Sequence, residues 1–241
     1  SEMWDCKEAF DFAGIKGYEP MTAKELDTEE VQSEKLNDPN YIIEEKFDGT
    51  RALVYFFSQE VRNVQNEPVG NIGYCRVFSR RISEKTGFYV ENTDSLPHIR
   101  ETDAPALGGT ILDGEMFIDG LPFKEVSSTL NCLWDKAVSR QIEKGFITFH
   151  AFDILFYRGI DMRKFPLHRR KYFLHVVLDE LKHPYITEVE YHRCGLDSDF
   201  GYAHNEVMKA VGETNYDQYI DELEERKGTY SALWECLVNE T

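Results

Sequence analysis

Short runs of β-branched and aromatic residues, punctuated by Gly and Asp, recur along this chain and restrict it to a fold built on strands that double back on one another. The runs cover residues 41–46, 51–57, 73–79, 111–118, 146–156 and 231–238. Asp48-Gly49, between the first two, predicts a hairpin, because a type I′ turn needs φ > 0 at both central residues. Helical spacing interrupts the strands. Val126, Leu130, Leu133 and Ala137 predict a helix over 126–143. A second follows Pro166 over 167–181, with Tyr172, Phe173, Val176, Val177 and Leu181 on one broad face, and a third lies within 203–227. Strands paired by hairpins and mixed with helices indicate an α+β domain, with antiparallel β-sheets flanked by helices.

Several function classes are excluded or disfavoured by composition. No stretch reaches the ~20 unbroken apolar residues of a membrane span, so no membrane association is expected. Ser1-Glu2-Met3-Trp4-Asp5 shows no secretory leader. The 5 cysteines are scattered and form no C-x-x-C, which points to a reducing, cytoplasmic setting. Net charge is −17, but residues 1–45 carry −9 of it and residues 196–241 carry −8. The whole surface therefore does not suit phosphate backbones, while the electrically balanced middle leaves room for a local basic face.

Three segments of that middle carry candidate chemistry. Lys46, in Lys46-Phe47-Asp48-Gly49-Thr50-Arg51, stands at the end of a strand before a tight turn. A lysine held there acts as a nucleophile once it loses its proton, and neighbouring cations such as Arg51 favour that loss. A simple solvated hairpin accounts for the same residues. In Leu112-Asp113-Gly114-Glu115-Met116, alternation puts two carboxylates on one face of an apolar strand. An unpaired buried carboxylate is costly, so they need water, a metal or a ligand hydroxyl; an ordinary polar strand face is the alternative. In Phe149-His150-Ala151-Phe152-Asp153, alternation sends Phe149 and Phe152 to opposite faces, so that one joins a core and the other is available to a planar ligand.

Taken in order, these segments resemble the motifs of the covalent nucleotidyltransferases: ATP-dependent DNA ligases, RNA ligases and mRNA capping enzymes. Lys46-x-Asp48-Gly49-x-Arg51 is similar to their nucleotide-attachment motif, Asp113-Gly114-Glu115 to their third motif and Phe149-x-x-Phe152-Asp153 to the aromatic motif that follows. Ser79-Arg80 resembles an element between them. Tyr18-Glu19-Pro20-Met21-Thr22-Ala23, Arg158-Gly159 and Pro166-Leu167-x-Arg169-Arg170 look more like DNA ligases than capping enzymes.

The resemblance implies an adenylation-domain fold with a nucleotide cleft between its sheets, and it implies roles. Lys46 would attack the α-phosphate of ATP and hold AMP as a phosphoramidate. Glu44 would help read the adenine and Phe149 would stack on it. Arg51 and Arg80 would meet ribose, phosphate or the nucleic-acid end. Glu115 would contact the ribose or a metal, with Mg²⁺ suited to all-oxygen surroundings. The implied partners are ATP and nicked DNA, with RNA as the alternative, in a monomer serving DNA repair or replication.

The sequence also departs from the pattern. Trp234-Glu235-Cys236 is the best match to the fourth motif, which makes Glu235 a candidate metal carboxylate, but Cys236 stands where glycine is usual and Glu240 where lysine is. Residues 1–17 read as an N-terminal extension and 18–241 as the nucleotidyltransferase domain, with the fifth motif and the C-terminal β-barrel absent. A trimmed catalytic domain is expected. A minimal enzyme drawing on Arg163, Lys164, Arg169, Arg170 and Lys171, or a non-catalytic nucleotide-binding homologue, are the alternatives.

Overall fold

The computed structural model describes residues 38, 41–44 and 46–193. The N-terminal extension, the Pro20-Met21 element, the 203–227 helix, the 231–238 strand and Glu235 lie outside the described residues. The described residues divide into two compact units, one of residues 47–165 and 173–188 and one of residues 38, 41–44, 46, 166–172 and 189–193.

The larger unit is a mixed sheet, antiparallel but for one strand. Its order is β4 (Tyr89–Glu91), β3 (Pro68–Ile82), β2 (Thr50–Arg62), β5 (Ile111–Phe117), β6 (Thr148–Tyr157) and β7 (Ile160–Asp161), and β8 (Ile186–Glu188) pairs parallel to β6. Alternation gives the sheet two different faces. On one, Ala52, Val54 and Phe56 of β2 pack with Leu112 and Met116 of β5 and Phe149 and Ala151 of β6. Helices cover this face: Val126 comes from α2 (Phe123–Leu130), and Leu174, Val177 and Leu178 come from α4 (Leu167–Leu181). The one-turn α1 (Pro97–Arg100) adds Ile99. The opposite face is apolar at one end, where Leu53, Tyr55, Phe78 and Ile111 cluster. Its other end carries Arg51, Asp113 and Glu115.

The smaller unit contains β1 (Ile42–Glu44), paired antiparallel with β9 (Tyr191–Arg193) so that Glu44 opposes Tyr191. This overturns the expected hairpin at Asp48-Gly49, since β1 and β2 lie in different sheets. Gly49 does not take a left-handed φ. It is required because a Cβ there would sit 2.5 Å from the Met116 carbonyl oxygen and 2.8 Å from Glu115 Cγ. The tight hairpin joins β2 to β3 instead. There the Asn63 side-chain oxygen accepts the Gln65 and Glu67 N–H groups at 2.9 Å each, and Asn66 takes φ 63°.

The helix expected over 126–143 is two helices, α2 and α3 (Trp134–Lys144). Asn131 and Cys132 close α2 by donating to the Ser127 and Thr129 carbonyls, which frees the chain to turn before Trp134. Leu133 is consequently exposed, and a polar residue fills the buried position on α3. Gln141 donates to the Ser95 carbonyl at 2.7 Å and accepts the Ile147 N–H at 3.2 Å. The helix expected over 167–181 is present with those bounds, although Leu174, Val177 and Leu178 supply most of its buried stripe.

Two histidines staple the end of this unit in their neutral forms. His98 Nε2 donates to the Ile147 carbonyl at 2.7 Å, while its Nδ1 is buried with no hydrogen-bond partner. His183 accepts the Tyr185 N–H at Nδ1 and donates from Nε2 to the His98 carbonyl at 3.0 Å. Burial lowers the pKa of both. A histidine whose folded pKa is lowered contributes stability that is present above its unfolded value of about 6.5 and lost as pH falls through the folded value. The melting temperature should therefore fall between pH 7.5 and pH 5.5, at about 2–4 °C per kcal/mol of linkage. A His98→Gln/His183→Gln protein should show less than half of the wild-type slope. Equal slopes in the two proteins would contradict this account.

Candidate active site

The polar end of the second sheet face is organised around β5. Asp113 and Glu115 share that face because Gly114 between them points to the core. A Cβ on Gly114 would overlap the His150 carbonyl and come within 2.7 Å of the Phe149 ring, so β5 and β6 approach here only with glycine. Asp113 is 1% exposed, and both its oxygens accept from Arg51, from Nε at 2.7 Å and from Nη2 at 2.6 Å. The guanidinium also lies 4.5 Å from the centre of the Phe152 ring. Burial raises the Asp113 carboxyl above its usual range; Arg51 opposes the rise, Asp153 adds to it, and the charge of Arg80 lowers it.

Glu115 is differently placed. Its Oε1 accepts the Gly49 N–H at 3.2 Å, which ties the third motif to the loop after Lys46. Burial raises its carboxyl, and the Arg51 charge and the Gly49 hydrogen bond work against the rise. Arg80 is exposed, and strand alternation after Phe78 carries it to the same face.

Phe149 requires a correction. It is 0% exposed and packs in the core on the helix-covered face, so its ring is not available to a base. The assignment failed because alternation fixes that Phe149 and Phe152 part company but does not say which face is covered by helices. Besides Phe152 under Arg51, the polar face carries His150, stacked on Phe117 at 3.7 Å and 5°, and Phe47, 4.7 Å from Phe117. His150 Nδ1 lies 3.1 Å from the Thr187 hydroxyl, and its Nε2 is buried with no hydrogen-bond partner. Phe149→Leu should thus lower the melting temperature, by about 1 kcal/mol of packing, and leave the KM for nucleotide unchanged. A raised KM with an unchanged melting temperature would restore the stacking role.

In the smaller unit, Lys46 is exposed and follows β1 by two residues. Glu44, at the end of β1, pairs through Oε1 with Lys171 of α4. Lys171 is buried, and its amine lies 5.1 Å from the centre of the Tyr191 ring. That placement removes Lys171 from the basic residues available to phosphates. Arg163 is likewise engaged, with Asp161 at 2.8 Å, and Arg170 is buried.

Sequence reasoning singled out Glu44, Lys46, Arg51, Arg80 and Glu115 as candidates, and the structure brings Arg51 and Glu115 together on one sheet face with Asp113. It did not single out Phe117 and named Lys171 only among basic residues for phosphates, although signals for both placements existed. Phe117 continues the 113, 115 alternation. Extending the buried stripe Leu178, Val177, Leu174 back by one helical turn arrives at Lys171 and Arg170.

An antiparallel sheet flanked by helices, with these motifs in this order, is the adenylation domain of the covalent nucleotidyltransferases. The chain belongs to the ATP-dependent DNA ligase domain family, which residues 20–198 match. It is 27% identical over 160 residues to the SPbeta prophage-derived DNA ligase-like protein LigB of Bacillus subtilis, covering 65% of this chain and 47% of that protein. A DNA ligase of Halorubrum lacusprofundi is 31% identical over 144 residues, covering 57% of this chain and 23% of that protein. DNA ligase 4 of Saccharomyces cerevisiae is 28% identical over 179 residues, covering 68% of this chain and 17% of that protein. The chain thus spans less than half the length of these relatives. Among solved structures, an ATP-dependent DNA ligase from bacteriophage T7 in complex with ATP matches with a TM-score of 0.40 and 16% identity, over 78% of this chain and 58% of that one. That score is too low to align individual residues. Among the described residues no helix is long and apolar enough to cross a membrane.

Proposed function

We propose that this domain carries the nucleotidyl-transfer chemistry of an ATP-dependent DNA ligase, forming lysine–AMP at Lys46 and passing the AMP to the 5′-phosphate of a DNA nick for sealing. In the first step the Lys46 amine, having given up a proton, forms an N–P bond to the α-phosphorus of ATP. The bond to pyrophosphate breaks in line. In the second, an oxygen of the 5′-phosphate displaces the lysine, and the adenylated end is then closed by the adjoining 3′-hydroxyl with release of AMP. The observation that carries this reading is the bond from the Gly49 N–H to Glu115. It joins the attachment loop to the third motif, residues separated by 66 positions in the chain.

The remaining roles follow the chemistry of each group. Arg51, held by Asp113 and Phe152, presents fixed positive charge to ribose or phosphate, and exposed Arg80 supplies a second cation for the nucleic-acid end. Glu44 accepts from the exocyclic amine of adenine. The planar surface for the base falls to the His150–Phe117–Phe47 group rather than to Phe149.

Magnesium fits the donor set in a limited way. Among the described residues no three metal-binding side chains cluster, and both Asp113 oxygens are committed to Arg51. Of the two β5 carboxylates Glu115 is the one that remains, and one carboxylate plus substrate phosphates is an ordinary Mg²⁺ arrangement. When bound, the ion would spread the charge that builds on the phosphates.

The test is incubation with ATP and Mg²⁺ followed by denaturing electrophoresis. Label from α-labelled ATP should stay on the chain and be released by acid, and γ-labelled ATP should leave none. An intact protein that takes no α-label would favour a nucleotide-binding homologue without catalysis. Chasing the labelled protein with nicked DNA and with nicked RNA should move the AMP to DNA in preference.

A further inference from the structure

Lys171, the buried partner of Glu44, has no part in the chemistry above. Lys171 is 1% exposed, yet it places its amine at a position of α4 where the stripe continues as Leu174 and Leu178. Its amine meets the Glu44 carboxylate and the face of the Tyr191 ring, and Glu44 and Tyr191 are themselves opposed across β1 and β9. A buried ammonium is costly, and an apolar side chain would fill the same position without that cost. What the ammonium adds is direction: it engages Oε1 of Glu44 and so fixes the orientation of the carboxylate.

We infer that Lys171 is a positioning residue that fixes the Glu44 carboxylate as a base-selecting acceptor, and so sets the preference for adenine over guanine nucleotides. The inference rests on the adenine-reading role given to Glu44 above. The chemistry is one of complementarity. A carboxylate oxygen held in place accepts from the exocyclic amine of adenine, whereas guanine presents a carbonyl oxygen at that edge and is repelled. A carboxylate free to rotate, or drawn away into water, discriminates less, because it no longer confronts the wrong edge at a fixed distance. Lys171 touches neither substrate nor reacting atoms in this account and acts only through Glu44.

The experiment measures equilibrium binding of the α,β-methylene analogues of ATP and GTP, which cannot release pyrophosphate, to the full chain. Wild type, Lys171→Met, Glu44→Gln and the double variant are compared, with Lys46 labelling by true ATP followed in parallel. Lys171→Met should weaken binding of the ATP analogue by about tenfold and that of the GTP analogue hardly at all, so that the preference falls by the same factor. Glu44→Gln should lose a similar amount, and Lys171→Met should add almost nothing to it, since both act through one carboxylate. Should Lys171→Met melt out, Lys171→Gln, which keeps a donor of shorter reach, carries the same comparison. A folded Lys171 variant with the wild-type preference overturns the inference, as do losses that add in the double variant. Wild-type protein that binds selectively but never labels would remove the Lys46 reaction while leaving this selectivity to be judged on its own.

Discussion

A Lys46→Arg protein should take no label from α-labelled ATP, a loss of at least about four orders of magnitude, set by the gap between an activated amine and no nucleophile at all. Arginine keeps the positive charge and most of the length. Its guanidinium is not deprotonated in proteins and so has no lone pair to offer the α-phosphorus. Charge-based binding of the triphosphate should survive, which separates loss of chemistry from loss of ATP. Lys46 is exposed, so the melting temperature should move by no more than a surface substitution usually moves it, within about 0.5 kcal/mol. Lys171, the other lysine among the described residues of the smaller unit, is buried in its pair with Glu44 and should not substitute as nucleophile. Label surviving at wild-type strength in Lys46→Arg would move the attachment point elsewhere and dissolve the proposed mechanism.

The largest effect on stability is expected at Asp113→Ala. Arg51 would lose the carboxylate that takes two of its hydrogen bonds, at a site where the Asp113 side chain is 2% exposed and that of Arg51 21%. Removing one partner of a buried pair costs about 3–5 kcal/mol, because a desolvated charge is left behind. At about 2–4 °C per kcal/mol for a chain of this size, the melting temperature should drop by roughly 6–20 °C. Adenylation should fall as well, since Arg51 is no longer held over Phe152. An Arg51→Met/Asp113→Leu protein, with the charges removed together, should recover much of the stability and none of the activity. That contrast distinguishes a positioning pair from a merely structural one. A double variant less stable than Asp113→Ala would show that the apolar replacement is the greater fault.

Much of the architecture was legible because strand formation here follows local pattern. The alternation through 111–118 is realised in β5, and helix 167–181 follows Pro166 as its spacing requires. The pairing of strands was less legible. Asp48-Gly49 carries a hairpin signal, yet the partner of β1 is β9, some 147 residues beyond it in register at Glu44 and Tyr191. The local signal reports only what a dipeptide permits. The longer-range pairing depends on which edges find each other, and Gly49 answers to the Met116 backbone rather than to a turn. Phe149 failed for a related reason, since one strand read alone has two equivalent faces until helices cover one of them.

The linear order of residues therefore determined the family and the longer strands, and singled out Lys46, Arg51 and Glu115 as candidate groups. Those follow from residue type and from spacing along one strand, which the covalent chain sets. The tertiary structure alone decided that Asp113 holds Arg51, that Gly49 meets Glu115, that Lys171 sits on Glu44 and that Phe149 belongs to the core. Each of these is a contact between segments far apart in sequence. Which distant groups meet is settled by the burial of apolar faces and the pairing of strand edges, and no local spacing encodes it.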